Sequence, residues 1–130
     1  MAWKLDDRRS IHSQLTAVIC RRIISGYYPP GNRLSSVREL ADEAGVNPNT
    51  MQRALSQLET SGVIFAQRTS GRFVTTDRDK IDAMRRELAL DAVKEFVGTM
   101  DGLGFAPEET EAMLRDYAHG RGKDQSEVEL

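Results

Sequence analysis

Cysteine and histidine are scarce in this 130-residue chain: one Cys, at position 20, and two His, at positions 12 and 119. A lone thiol excludes an internal disulfide framework and fits a reducing compartment, so a cytoplasmic location is expected. Cys20 follows Ile19 in a helical pattern and is expected as a buried structural thiol rather than a redox sensor. His12 and His119 have no Cys, Asp or Glu at a metal-ligand spacing, so neither a metal nor a cofactor is expected. No apolar run approaches the roughly 20 residues of a membrane span. The N-terminal MAWKLDDRRS lacks the apolar centre of a secretory signal, and no membrane partner is expected. A phosphate-binding glycine loop and a nucleophile motif are also missing, which speaks against an enzyme.

Charge is plentiful but unevenly placed. Hydrophobic residues make up 39% and charged residues 29%, as in an ordinary globular protein. Residues 1–76 carry ten Lys/Arg against six Asp/Glu, a net of +4, and residues 77–130 carry eight against fourteen, a net of −6. The overall charge of −2 therefore hides a basic part and an acidic part, which suggests different partners for the two.

Trp3–Leu5 reads as a short strand or arm. Ser10 precedes a helical pattern in which Ile11, Leu15, Val18, Ile19 and Ile23 define one apolar face, ended by Gly26 and the rigid turn YYPPGNR. A second helix begins after Ser36, which forms the S-x-x-E capping pattern with Glu39, and buries Val37, Leu40, Ala41 and Ala44 up to Gly45. A third follows at once, with Asn47 as N-cap, Pro48 in the first position, an apolar stripe of Met51, Ala54, Leu55 and Leu58, and Gly62 as its stop. Residues 63–68 and 72–76 then alternate as the strands of a hairpin around Thr69-Ser70-Gly71. The spacing predicts a long helix over 78–100 and a last helix from Pro107, with a polar, disordered tail over 120–130.

This order defines the expected fold class: mainly α with a small β-hairpin, a winged helix-turn-helix followed by a helical tail. In such a fold the second helix of the helix-turn-helix enters the DNA major groove. If Met51, Leu55 and Leu58 face the core, Asn49, Gln52, Arg53 and Ser56 share the opposite face. Asn and Gln pair bidentately with adenine, and Arg with guanine. Asn47 and Thr50 sit where first-turn N–H groups meet a phosphate, and Asn47 and Ser36 are each readable as a cap, a contact or both. Arg38 lies in a helix first turn, where the dipole disfavours a cation, so an external anion is its natural partner. Arg68 and Arg72 flank the hairpin tip and complete a basic wing.

The run PPGNRLSSVRELADEAGVNPNTMQRALSQLETSGVIFAQRTSGRFVTT closely resembles the DNA-binding domain of the GntR family of bacterial transcription regulators, over about residues 10–76. The resemblance implies operator contacts from Arg38, from Asn47, Asn49, Thr50 and Gln52, and from the wing tip Arg68, Thr69, Ser70 and Gly71. Ser35 stands where the family often has Pro, and the tip is less glycine-rich than usual; both bear on wing placement.

Only 54 residues follow Thr76, too few for the large effector domains of most members. The short tail with its Leu-Gly-Phe-Ala-Pro-Glu-Glu connection resembles the YtrA subfamily, whose tails serve homodimerisation and whose members often control transporter operons. Residues 77–119 are accordingly expected to dimerise through Ile81, Met84, Leu88, Ala92, Val93, Phe96, Val97 and Met100, a stripe that demands a partner surface. A two-fold dimer matches a palindromic operator. The expectation is thus a cytoplasmic homodimeric repressor on double-stranded operator DNA. The alternative is a protein–protein adaptor with an acidic docking tail. A small-molecule effector is left open by the sequence.

Overall fold

The computed structural model describes residues 3–128, with only the helical backbone described beyond Gly120. The helices are α1 (Ile11–Ser25), α2 (Val37–Ala44), α3 (Pro48–Ser61), α4 (Arg78–Gly102) and α5 (Pro107–Val128), and a hairpin of β1 (Ile64–Gln67) and β2 (Gly71–Val74) separates α3 from α4. The chain divides into two compact units, one ending at Glu87 and one beginning at Leu88.

In the first unit, α3 packs against α1, α2 and β1. The core consists of Leu15, Ile19 and Ile23 from α1, Leu40 and Ala41 from α2, and Met51, Ala54, Leu55 and Leu58 from α3, closed by Leu34, Val63, Ile64 and Val74. These are the stripes read from the sequence, except that Ile11, Val18, Val37 and Ala44 are only half-buried. Helix ends follow local chemistry. Ser10 Oγ accepts from Ser13 N, and Ser36 and Glu39 form the reciprocal capping box, with Glu39 N donating to Ser36 Oγ at 3.1 Å and Ser36 N to Glu39 Oε1 at 2.9 Å. Gly45 turns the chain between α2 and α3 at φ 74°. A Cβ there would meet nothing within 4 Å, so the left-handed backbone alone selects glycine.

The hairpin is antiparallel, pairing Ile64 with Val74 and Gln67 with Gly71, and its Phe65–Phe73 pair stacks at 5.8 Å. The strands are shorter than the alternation suggested. On the open side of β2 lies a third segment: Leu34 N donates to Arg72 O, Val74 N to Asn32 O and Gly31 N to Val74 O, with a bridge between Arg33 and Phe73.

Trp3–Leu5 is an arm rather than a strand. Trp3 Nε1 donates to Glu43 Oε2 at 2.7 Å, and Arg22 lies between them, 4% exposed. The Arg22 guanidinium donates from Nη1 to Glu43 Oε2 and Tyr28 Oη, both at 2.7 Å, and packs on the rings of Trp3, Tyr27 and Tyr28 at 4.7, 4.9 and 5.6 Å. Its Nε and Nη2 have no hydrogen-bond partner and face this aromatic enclosure, where cation–π attraction replaces water.

The first unit extends past Thr76 to Glu87, because the start of α4 stays with it: Ile81 and Arg85 line a cleft with Ile23, Ile24 and Pro30. Helix α5 continues past Gly120 to Val128, so part of the stretch assigned to a disordered tail is helical; residues 129–130 lie outside the described residues.

The second unit buries little of itself. Among its described residues only Met100 and Thr110 are buried. Leu90, Val93, Phe96 and Val97 of α4, and Met113, Leu114 and Tyr117 of α5, are all exposed.

Candidate nucleic-acid interface

The face of α3 opposite the core is built by periodicity and by its cap. Asn47 Oδ1 accepts from Asn49 N at 2.7 Å, and Pro48 occupies the first helical position without sacrificing a hydrogen bond. Asn47 is therefore a cap, and its exposed amide N–H groups remain outside that bond. With Met51, Ala54, Leu55 and Leu58 buried, Asn49, Gln52, Arg53 and Ser56 are exposed together, while Thr50 is half-buried. Gln52 Nε2 donates to Ser56 Oγ at 3.2 Å. This fixes the amide plane and leaves Oε1 and one N–H, the pair that adenine requires.

Arg38, Arg53 and Arg68 are exposed and form no ion pair among the described residues. Ser36, by contrast, is committed to the capping box, and its exposed hydroxyl already accepts from Glu39 N. Arg68, Thr69 and Ser70 form the exposed turn of the hairpin, closed by Ser70 N donating to Gln67 O at 3.1 Å.

Arg72 has an intramolecular partner. It is half-buried, and its Nε donates to Glu59 Oε2 of α3. This ion pair ties β2 to the helix that presents Gln52 and Arg53. Sequence reasoning missed Glu59, because nothing local connects it with a residue 13 positions away. Arg33 was missed as well: its Nε donates to Ser70 O at 2.7 Å, beneath the wing tip. A Cβ on Gly71, at φ 105°, would lie 3.1 Å from that Nε, so both the backbone and the close approach select glycine.

Hydrogen bonds from the Ser36 backbone and side chain hold the Glu39 carboxyl below its usual range, keeping the α2 cap charged. Away from the face, burial, with the nearby Glu87 carboxylate, pushes the Cys20 thiol up to about 11, so it stays protonated and inert at neutral pH. No group of three or more His, Cys, Asp or Glu able to hold a metal occurs among the described residues.

A tight α2–α3 pair, a polar outward face on α3 and a basic hairpin beside it define a winged helix-turn-helix. The profile of "Bacterial regulatory proteins, gntR family" matches residues 11–74. The HTH-type transcriptional regulator YhcF of Bacillus subtilis (strain 168) is 31% identical over 112 residues, covering 86% of this chain and 93% of that one. The HTH-type transcriptional repressor YtrA of the same organism is 35% identical over 74 residues, covering 55% of this chain and 57% of that protein. A solved GntR family transcriptional regulator from Listeria monocytogenes superposes with a TM-score of 0.76 at 34% identity, covering 85% of this chain and 97% of the other. The chain belongs to the GntR family of bacterial regulatory proteins, and it is a DNA-binding transcription regulator.

Proposed function

We propose that the protein is a homodimeric repressor that binds a palindromic operator, with α3 in the major groove and the wing on the neighbouring backbone or groove. The observation that carries the groove assignment is the exposed set Asn49, Gln52 and Arg53 on a helix whose other face is fully buried. In this reading Gln52 and Asn49 read adenine edges, Arg53 reads guanine or phosphate, and Arg38, Asn47 and Thr50 hold phosphates. Ser36 positions Arg38 through the cap. Arg68, Thr69, Ser70 and Gly71 form the contacting tip, and Arg72 acts through Glu59 instead of touching DNA. Repression is supported by similarity to a repressor named YtrA, and control of a transporter operon by the subfamily resemblance. A cytoplasmic site of action follows from that role.

The homodimer is supported by the apolar surface that the chain leaves uncovered. Val93, Phe96 and Val97 stand at 53%, 36% and 46% exposure, and Leu88 and Ala92 extend the same stripe. An apolar groove of about 400 Å³ lined by Val93, Val97, Phe105 and Pro107 offers a hole for a partner's side chain. Ile81 and Met84, half-buried in the first unit, and the buried Met100 contribute less than the stripe suggested. A second copy supplies a matching stripe at the two-fold axis.

The test is an operator titration with Arg38→Ala. Affinity should fall at least several-fold while the melting temperature stays unchanged, because Arg38 is exposed and unpaired. Unchanged affinity would remove Arg38, and with it the α2 end of the interface.

A further inference from the structure

We infer that Arg33 is a second-role residue of the interface: its Nε anchors the wing tip through the Ser70 carbonyl, and its outer Nη edge binds a backbone phosphate where the wing meets DNA. The inference rests on the DNA-reading role proposed above and extends it to a residue that neither helix nor hairpin tip contributes.

Four observations carry it. Arg33 is exposed, yet it is held in place through Nε at 2.7 Å from Ser70 O. Only one of its five N–H donors is used, and neither Nη group has a partner among the described residues. The backbone beneath it is rigid, because Gly31, Asn32 and Leu34 hydrogen-bond to β2 on both sides of it. Gly71 leaves no side chain between the guanidinium and the tip, with Nη2 at 3.5 Å from the place a Cβ would take.

A guanidinium so fixed has lost much of its conformational entropy before DNA arrives, and its Nη edge matches a phosphate in geometry. Its charge also reaches the start of α2, where it adds, after the two hydrogen bonds from Ser36, to the lowering of the Glu39 carboxyl. Glu39 is engaged by Ser36 N and does not close an ion pair with Arg33. Arg33 therefore sits at the wing tip and only three residues before Ser36, the N-cap of α2, the helix whose Arg38 is proposed to hold a phosphate.

The experiment measures operator affinity against salt for the full chain carrying Arg33→Ala, Arg33→Gln or Arg33→Lys, each also in an Arg68→Ala background. A phosphate contact predicts that Arg33→Ala and Arg33→Gln lower the slope of log affinity on log salt by about 0.9 per protomer, hence about 1.8 for a bound dimer, in either background, and that Arg33→Lys retains it. A slope that ignores the charge at position 33 would overturn the inference. So would a loss that vanishes once Arg68 is gone, since Arg33 would then only position Arg68. If the wild-type chain itself selected no operator, the DNA-reading proposal would fall first, and the two failures are distinguishable. Thermal melts of all variants should stay close to wild type, because the Arg33–Ser70 hydrogen bond that is lost is an exposed one.

Discussion

Arg22 is the residue with most at stake in the basic unit. It is a buried cation on α1, answered by one carboxylate, one phenol and three aromatic rings. Burial pushes the Glu43 carboxyl up, and hydrogen bonds from Arg22 and Trp3 outweigh it and hold Glu43 below its usual 4.5. A lowered folded value means that the stabilisation is present above pH 4.5 and is lost as pH falls through the folded value. Glu43→Gln should therefore lower stability at pH 7 by about 1 kcal/mol, a modest figure because Glu43 is partly solvated. The gap in melting temperature between wild type and variant should close as pH falls through that lowered folded value. A gap independent of pH would show that the charge of Glu43 does not matter. Gly45 makes a second prediction at this scale. Gly45→Ala should cost about 1–2 kcal/mol from the left-handed backbone alone, since the site has room for a methyl group. A chemical-denaturation midpoint equal to wild type would contradict the turn geometry.

At the scale of elements, what was legible and what was not divides by sequence distance. The stops and caps of α1, α2 and α3 rest on a residue and its neighbours within four positions, so Ser10, Gly26, Ser36, Gly45, Asn47, Pro48 and Gly62 could all be placed from the sequence. The core stripes came from helical period, and the hairpin from a change of period. The joints between elements were not legible. Nothing in the sequence pairs Arg22 with Glu43, or Glu59 with Arg72, and the segment Gly31–Leu34 is too short to signal a strand. Its pairing exists because β2 has an open edge there. The Glu59–Arg72 joint also carries a prediction. Arg72→Ala should weaken operator binding through a looser wing, and Glu59→Ala should do the same although it removes a negative charge. Tighter binding by Glu59→Ala in a fluorescence titration would show that plain repulsion of DNA dominates at that position.

For the molecule as a whole, the charge split of +4 and −6 matches the division of labour proposed above, DNA binding for the basic part and dimerisation for the acidic one. The basic part carries the exposed Arg38, Arg53 and Arg68. The acidic part carries an apolar surface that its own helices do not cover. Phe96→Asp or Val97→Asp should shift sedimentation toward monomer, leave the first unit folded and weaken binding to a palindrome far more than to a half-site, because each half-site contributes separately once the dimer is lost. A chain ending at Glu87 should behave likewise, and it keeps the start of α4 that a cut at Thr76 would remove. A dimer that persists in both variants would place the interface elsewhere.

In the proposed complex the outward face of α3 reads base pairs in each half of a two-fold site. The most direct measurement is DNA selection from a random library by the wild-type chain and by Gln52→Ala. A palindromic wild-type motif is expected and, for the variant, relaxed preference at one adenine position repeated in both half-sites, a loss of about 1–3 kcal/mol of discrimination. An identical motif for both proteins, or a change in one half only, would contradict it.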